Sequence, residues 1–572
     1  MKNLRGTDLP NPPMQLPFPV NTAEQFRISI KPTEILNQPK TIQNLTPAEI
    51  EKVSEHYLLN GAFEEYLLLI TLISQKDLDR FPIIRLYKAT AMLFNEYPSQ
   101  QIEAVLSKVE NSNWKNHLKG EIIAIRALIQ SYTGDPELGI RLSQRALPLI
   151  AQQKTFFRNL IERNLGIAFT LKCDLRNANF WLEKLLMSSL ALEDWGSVLA
   201  AYNYLTFVRK NQGKLQDAAV IYKKALEFIE IHSLEMTPHG IKILAGYAHL
   251  LLKWHRIEEA KVYCRRAIHF AKQTDILYAH TAYQQLSEAF IRENDILNAL
   301  ETVQEIQQQS FGRENLYHQI HLKHMQAVEA RIHLEGGRIE HAYAWLVSSG
   351  FDQMPPESLH ARYGYELGYI LPIAARVYIA KGMANRAIHI INTTIPQFLH
   401  QGAVSFLIRA LVALSAAYHS QGQMRKAVSS LMRAIELGAP ENNLGDFIIV
   451  GQNLMPLLYE LKNSRLDTDF SNKLLSILSN IKPIDNTPGS RINDISPLTR
   501  RELDVLELIA EGLTNREIGH SLFLSANTIK SHCINIYRKL DVNNRNQAVS
   551  KARILGILPI QKPTTQHDLP SF

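Results

Sequence analysis

The fold is decided by three short stretches that share one spacing: GKLQDAAVIYKKA at residues 213–225, HRIEEAKVYCRRA at 255–267 and GQMRKAVSSLMRA at 422–434. In each stretch an alanine follows a turn residue by five positions, and a second alanine follows it with a bulky residue between the two. Since helical side chains three and four positions apart share a face, the spacing predicts a helix whose contact face alternates small and large residues. A small side chain lets two helix axes approach closely, so each stretch indicates the second helix of a tight hairpin.

The same spacing recurs along most of the chain. The turn residues, each with its small partner, are Gly134 with Gly139, Asp174 with Ala178, Gly213 with Ala218, His255 with Ala260, Asn294 with Ala299, Gly337 with Ala342, Gly382 with Ala387 and Gly422 with Ala427. The small positions step by 39, 40, 42, 39, 43, 45 and 40 residues. A period near forty, with two helices in each unit, predicts an α-solenoid.

This pattern of small, large and small residues resembles the tetratricopeptide repeat (TPR). The resemblance covers roughly residues 130–440, and weaker units are possible from 46 to 130. The repeats are longer than the usual ~34 residues and mostly lack the expected Trp, which is typical of the divergent TPR-like regions of bacterial regulators. We therefore predict an all-α chain in which a TPR-like α-solenoid of about eight to ten helical hairpins occupies residues 46–480.

Composition and charge narrow the class of protein. The 572 residues are 46% hydrophobic and 20% charged, so most of the chain can bury a core. With 62 Lys and Arg against 55 Asp and Glu, the net charge of +7 permits a nucleic-acid partner without demonstrating one. The three cysteines lie far apart, which argues against a disulfide framework or a cysteine zinc site. The sequence predicts no signal peptide and no membrane span, and therefore a cytoplasmic protein.

Proline-rich segments divide the chain. Residues 1–45 lack helical periodicity and are predicted to be a flexible arm. Residues 481–497 (IKPIDNTPGSRINDISP) are predicted to be a linker, and residues 559–572 a disordered tail. The intervening residues 498–558 are again helical but do not continue the repeat, so they are predicted to form a separate small domain.

This small domain contains three signals for the start of a helix. They are the capping boxes Thr499-Arg500-Arg501-Glu502 and Thr514-Asn515-Arg516-Glu517, and the N-cap Ser525. Gly512 is placed to end the first helix. Two helices across a tight turn, of which the second is long, predict a helix-turn-helix within a four-helix domain.

The third predicted helix has two distinct faces. Its inward face is apolar and consists of Ile529, Cys533, Ile536 and Leu540. Its opposite face is small, polar and basic and consists of Asn527, Lys530, Ser531, Ile534, Asn535 and Arg538. Such a face fits a DNA major groove about 12 Å wide. Residues 496–556 hold nine Lys and Arg against six Asp and Glu, an excess that suits phosphate neutralisation.

The segment LTRRELDVLELIAEGLTNREIGHSLFLSANTIKSHCINIYRKLDVNNRNQAV (498–549) resembles the LuxR-type DNA-binding domain. The run IKSHCINIYRKL (529–540) resembles the large MalT-type activators in particular, in which a helical-repeat sensor precedes the same domain. The resemblance implies double-stranded DNA as a partner, recruitment of RNA polymerase and pairing of two chains on DNA through a fourth helix. It also implies that Lys530, Ser531 and their neighbours face DNA. Phosphate contacts are implied for Thr514, Asn515, Ser525 and Thr528.

Several of these residues have a second interpretation. Thr499 and Thr514 can be helix caps only, and His532 is more often a packed residue than a base reader. Arg545 can bind phosphate or pair with a carboxylate such as Glu502. Ile534 stands where many relatives carry Lys or Arg, so it either touches a thymine methyl group or marks a lost contact.

The solenoid offers a second candidate surface. Placing each repeat by its small residue puts six polar side chains near the concave face, where a small inducer or a partner protein can bind: Arg163, Asn203, Gln284, Arg331, Arg376 and Arg409. Alternatively, each is solvated or pairs with its neighbours. His318, His321 and His324 resemble a metal cluster, but on one helix they spread too widely for three to reach one ion, so no metal is predicted.

No enzymatic activity and no cofactor are predicted. The ATPase module usual in MalT-type proteins is not apparent, because no G-x-x-x-x-G-K-[ST] motif occurs. We predict a sequence-specific DNA-binding transcription regulator, of activator type, whose repeats sense a ligand or protein and control the C-terminal domain. The rival hypotheses are a TPR interaction scaffold or adaptor with a weak or vestigial DNA-binding domain and, third, a hydrolase within the repeats.

Overall fold

A computed structural model describes residues 46–59, 63–95, 97–112, 116–152, 155–310, 316–480, 498–522, 524–540, 542, 544–554 and 558. These residues form α-helices joined by turns and short 3-10 segments, with no strand among them, which confirms the all-α prediction. The predicted arm (1–45), linker (481–497) and tail (559–572) lie outside the described residues. Within the described ranges, no helix combines the length and apolar character needed to cross a membrane.

Five helices open the described part of the chain: α1 (Pro47–Leu59), α2 (Phe63–Thr71), α3 (Gln75–Arg80), α4 (Ile83–Phe94) and α5 (Ser99–Glu110). They pack around buried aromatic and aliphatic side chains, and Tyr66 at the centre donates a hydrogen bond to Ser54 Oγ at 2.9 Å.

The hairpins that follow carry the regular spacing. Their paired helices are α6 (Lys119–Thr133) with α7 (Pro136–Ala146), α8 (Thr155–Leu171) with α9 (Leu175–Leu192), α10 (Trp195–Asn211) with α11 (Leu215–His232), α12 (Pro238–Lys253) with α13 (Ile257–Gln273), α14 (His280–Arg292) with α15 (Ile296–Ser310), α16 (Leu316–Glu335) with α17 (Ile339–Ser348), α19 (Leu367–Ala380) with α20 (Ala384–Gln401), and α21 (Val404–Ser420) with α22 (Met424–Gly438). Each second helix holds one of the eight small residues, and all eight are buried. The TPR-like solenoid prediction is therefore confirmed.

Close helix packing explains why these positions are small. A side-chain carbon at Gly139 would overlap the Ser131 side chain on the preceding helix. On an inner helix, a side-chain carbon at Gly368 would overlap the ring of buried Phe406 in the same way. Protein cores have no room for such an overlap without displacement of the neighbouring element.

The turn within each hairpin has a left-handed residue five positions before the small one. Five of these residues are glycines, and the others are Cys173, His255 and Asn294 with φ values of 60°, 60° and 62°. The prediction of the second turn at Asp174 is wrong by one position, since Cys173 is the left-handed residue. Asp174 is instead the N-cap of α9, and its carboxylate accepts a hydrogen bond from Asn177 N at 3.2 Å. A buried Cys in a left-handed conformation has no glycine-like sequence signal, which explains the error.

The longest step of the repeat, 45 residues, has a structural cause. The helix α18 (Pro356–Tyr363) is inserted between α17 and α19, so the chain needs extra length before the next hairpin. The solenoid ends with α23 (Gly445–Ile448), α24 (Met455–Asn463) and α25 (Asp469–Asn480). Helix α23 packs against α21, α24 packs against α22, and α25 packs against α23 and α24.

The solenoid coils tightly enough for distant repeats to touch. Helix α10 contacts α21 and helix α12 contacts α23, although about 200 residues separate them in sequence. Lys253 at the end of α12 donates to Ser405 Oγ at 2.7 Å and to both Asp446 carboxylate oxygens at 2.8 Å. Trp254 Nε1 donates to Glu441 O at 3.1 Å. The inner helices therefore fill the concave side of the coil with their own side chains.

Glu366 leads to a stability prediction. It is buried between α18 and α19, and burial raises its pKa from the ordinary value of 4.5 to about 7. A raised carboxyl pKa costs the folded state stability as pH rises from about 4.5 through 7, because the unfolded chain ionises more easily. We expect Glu366→Gln to raise the free energy of unfolding by on the order of 2 kcal/mol at pH 8 and by almost nothing at pH 4.

Urea denaturation of both proteins at the two pH values measures this effect. The exposed Glu227 on α11 provides a matched control, since Glu227→Gln should leave the midpoint unchanged at both values. Equal shifts at pH 4 and pH 8 would rule out ionisation of Glu366 as the cause.

Candidate nucleic-acid interface

The described residues of the C-terminal unit form four helices: α26 (Arg500–Ala510), α27 (Asn515–Leu522), α28 (Ala526–Leu540) and α29 (Arg545–Ile554). Their apolar faces meet in one core of Val505, Leu506, Ile509, Ile518, Ile529, Cys533, Ile536, Leu540, Ala548 and Ala552. The predicted inward face of α28 is thus confirmed, since all four of its members are buried. Gly512 ends α26 with φ of 90°, as the sequence predicts.

All three predicted helix caps are formed. Thr499 and Glu502 make the complete capping box at the start of α26. Thr514 N donates to Glu517 Oε2 at 2.7 Å, and Ser525 Oγ accepts from Thr528 N at 3.1 Å. These bonds engage side chains that were also predicted to contact phosphate. The caps satisfy backbone amides in the first turns of α27 and α28.

The opposite face of α28 is open to solvent. Asn527, Thr528, Lys530, Ser531, Ile534 and Arg538 are exposed, and Asn535 is partly buried beside Arg538. Lys530 makes no hydrogen bond or ion pair with any described residue, so its ammonium group is available to a ligand. Ile534 keeps 56% of its surface accessible and is the apolar residue on this otherwise polar face.

One predicted pairing differs from what the structure contains. Arg545 does not pair with Glu502; its guanidinium group donates instead to the carbonyl oxygen of Leu513 at the turn after α26. Glu502 is bound by Lys539, whose Nζ lies 2.7 Å from Oε2. Lys539 lies near the end of α28 and supplies the positive charge beside the buried Glu502 carboxylate.

The side chain of Asn515 is only partly available for contact with a phosphate. Its Oδ1 lies 3.5 Å from Arg545 Nη1 and 3.8 Å from Cys533 Sγ, so the amide oxygen faces the domain interior. Only the amide nitrogen is left for a phosphate. The neighbouring Arg516 is exposed at the start of α27 and was not predicted as a DNA contact. It lies next to Asn515, a predicted phosphate contact, and this position is the sequence signal that points to it.

The six polar residues predicted on the concave solenoid face divide into two groups. Arg331, Arg376 and Arg409 are buried inside the coil and form ion pairs with neighbouring carboxylates, which is the alternative predicted for them from the sequence. Gln284 lines the same interior. Arg163 lies over the Phe94 ring, and Asn203 is partly buried. The side chains of His318 and His321 lie outside the described residues, while His324 is buried against Tyr365 and Tyr369.

Comparison with known proteins identifies both parts of the chain. The model of the MalT-like TPR region matches residues 120–464, which is more than half of the chain. The model of bacterial regulatory proteins of the luxR family matches residues 496–552. The chain belongs to the MalT-like family of LuxR-type regulators.

Individual relatives of this family are distant. The HTH-type transcriptional regulator MalT of Cronobacter sakazakii is 24% identical over 81% of this chain and 53% of its own length. MalT of Serratia proteamaculans is 24% identical over 77% of this chain and 49% of its own length. The chain thus spans about half the length of the MalT regulators it matches. A solved structure, the APC/C hetero-tetramer Cut9-Hcn1, aligns with a TM-score of 0.33 at 14% identity over 78% of this chain and 94% of that chain.

Proposed function

We propose that this MalT-like, LuxR-type chain is a sequence-specific, DNA-binding transcription regulator of activator type. In this proposal helix α28 enters the major groove, and its exposed face provides the base contacts. Lys530, Ser531 and Ile534 occupy the centre of that face, with Asn527, Asn535 and Arg538 around them. The observation that carries the proposal is the separation of α28 into a buried apolar face and an exposed face that includes Lys530, which pairs with none of the residues that the structure describes.

The proposed phosphate contacts lie at the N-terminal ends of two helices. Thr514, Asn515, Ser525 and Thr528 lie at the first turns of α27 and α28, where backbone amides and the helix dipole favour an anion. Such contacts fix the orientation of the domain and do not carry sequence information. The domain has few base-reading side chains, so we propose that two chains pair on DNA, with α29 in the pairing surface, and that RNA polymerase is the downstream partner.

The repeats supply the sensing function in this proposal. A ligand or partner protein bound to the solenoid changes how readily the C-terminal domain reaches DNA. The rival hypothesis is an interaction scaffold in which the helix-turn-helix no longer binds DNA, and the exposed Ile534 in place of a basic residue favours it. The two hypotheses differ in one measurable quantity, the affinity for DNA and its dependence on salt.

We expect Lys530→Ala to weaken operator binding by about tenfold to a hundredfold, which corresponds to the loss of one good contact of about 1–3 kcal/mol. A selection from a genomic library at fixed salt supplies the operator, and a gel shift of the full chain measures the affinity. Lys223→Ala is the matched control, because Lys223 lies on α11 with its side chain 81% exposed.

Salt dependence completes the test. Wild-type affinity should fall steeply with salt, since bound phosphates release counterions. If the Lys530→Ala protein binds the operator with wild-type affinity, the assignment of α28 to the major groove is wrong. Absence of any salt-sensitive DNA binding in the wild type would favour the scaffold.

A further inference from the structure

The interior of the solenoid contains a small cavity that the proposed DNA-binding surface does not use. Its volume is about 60 Å³, and it lies among the inner helices α12, α14, α16, α19, α21 and α23. Its charged lining residues are Lys253, Glu288, Arg292, Arg331, Arg409 and Asp446. Apart from Glu288, whose side chain keeps 15% of its exposure, all of them are buried.

Each carboxylate in this lining already serves two cations. Asp446 accepts from Lys253 Nζ at 2.8 Å and from Arg409 Nε at 2.6 Å. Glu288 accepts from Arg292 Nε at 2.8 Å and from Arg331 Nη1. Four cations therefore face two carboxylates, and two positive charges of the lining have no counter-ion within it.

The charged residues just outside the cavity lining do not supply the missing counter-ions. Glu335 is already matched by Arg376, whose Nη1 lies 2.6 Å from Glu335 Oε1. Arg331 Nε lies 3.6 Å from the same carboxylate, too far for a hydrogen bond, and has no hydrogen-bond acceptor among the described residues. His249 and His324 also line the cavity, and burial lowers the pKa of both, so neither adds charge near neutral pH.

Uncompensated buried charge is costly. Moving an ion out of water costs several kcal/mol, and the cost is recovered only when opposite charge and hydrogen bonds replace the lost water. A cavity of about 60 Å³ has room for a few water molecules or for a group of similar size. It is too small for a peptide segment. Its charge and size together define a ligand group that is anionic, compact and rich in hydrogen-bond acceptors.

We infer that this cavity binds a small oxyanion, namely a phosphate or carboxylate group, either as the free ion or as the end of a metabolite. The anion accepts hydrogen bonds from Arg331 and Arg409 and neutralises the excess charge. It also joins α14 and α16 in the middle of the solenoid to α21 and α23 near its end. An oxyanion would then be the ligand that the repeats sense. This regulatory role of the anion rests on the proposed function of the chain as a transcription regulator.

Binding of inorganic phosphate to the full chain tests the inference directly. Titration calorimetry in a phosphate-free buffer should show saturable binding, and millimolar phosphate should raise the melting temperature because it binds only the folded state. Succinate in parallel separates carboxylate from phosphate recognition, and glucose is the uncharged control. Absence of binding heat and of a melting shift with both anions would overturn the inference.

Two variants separate the charge of the cavity from the stability of the fold. Gln284→Glu adds a carboxylate to the lining, and we expect it to keep or raise the melting temperature while weakening phosphate binding by about tenfold or more. Arg331→Met should also weaken binding, and it leaves Glu288 with Arg292 and Glu335 with Arg376. Arg126→Met is the matched control, since Arg126 pairs with Glu103 and Glu110 outside the cavity lining. Unchanged phosphate affinity in Gln284→Glu would contradict the proposed location.

The outcome is distinguishable from that of the DNA-binding proposal. If the wild-type chain binds no phosphate but binds its operator in a way that depends on Lys530, the anion site is wrong and the proposed DNA-binding function stands. If phosphate changes the operator affinity of the wild type but not that of Gln284→Glu, the result supports both the anion site and the DNA-binding function.

Discussion

Asp446→Asn should lower the free energy of unfolding by about 3–5 kcal/mol, the usual cost of breaking a buried ion pair by removing one partner. The carboxylate accepts hydrogen bonds from Lys253, Ser405, Arg409 and Asn443, and its side chain is 1% exposed. Asparagine keeps the shape but removes the charge. Lys253 and Arg409 would then lie buried beside each other with no carboxylate between them.

The effect depends on pH in a defined direction. The two cations and the hydrogen bonds hold the pKa of Asp446 well below its ordinary value of 3.8. The unfolded chain therefore takes up the proton first as pH falls, so the stabilisation is present above about pH 4 and is lost on acidification. The difference between wild type and variant should be largest near neutrality and should shrink in acid.

Urea denaturation followed by circular dichroism measures this difference. Asp217→Asn is a suitable control, because Asp217 is exposed at the start of α11 and its replacement should change stability by no more than about 0.5–1 kcal/mol. An unfolding midpoint of Asp446→Asn within error of the wild type would show that the buried pair contributes nothing net.

Ile536→Ala should destabilise the helix-turn-helix unit by about 2–5 kcal/mol, since it removes a buried side chain from the centre of a small core. Ile536 is fully buried with Val505, Ile518 and Ile529 around it. A unit of this size has a total stability of only about 3–5 kcal/mol, so much of it should unfold at physiological temperature. DNA binding should be lost with it, while the solenoid stays folded.

The matched control lies two residues away on the same helix. Ile534→Ala removes the same atoms from the exposed face, so stability should change by less than about 0.5 kcal/mol. If Ile534 contacts a thymine methyl group, this variant binds DNA more weakly and loses preference at that base pair only. Hydrogen exchange of amides 515–540 in the full chain measures the folding effect, and gel shifts measure the DNA effect. Normal amide protection in Ile536→Ala would contradict the core assignment.

The repeat architecture could be predicted from sequence because it depends on local spacing. A small residue five positions after each turn places one close contact in every hairpin, and the periodicity makes it visible without any knowledge of the partner helix. The capping boxes at Thr499 and Thr514 are equally local and were equally predictable. The turn at Cys173 was misplaced because its left-handed conformation comes from the packing around it.

The interior of the solenoid could not be predicted in this way. Lys253 and Asp446 lie 193 positions apart, and nothing in the local sequence of either one indicates the other. They meet because small rotations between successive hairpins accumulate until the coil closes, which depends on every intervening interface. Arg331, Arg376 and Arg409 were predicted near the concave face, and their burial follows from this accumulated rotation.

Closure of the coil also changes how the molecule should come apart. In an open repeat array each unit interacts only with its neighbours, so the ends fray and partly folded species are populated. Here the bond from Lys253 to Asp446 and the contact between α10 and α21 tie early units to late ones. Deleting the last helices would therefore expose the middle of the array, and the repeats from α10 onward should melt together in a single sharp transition.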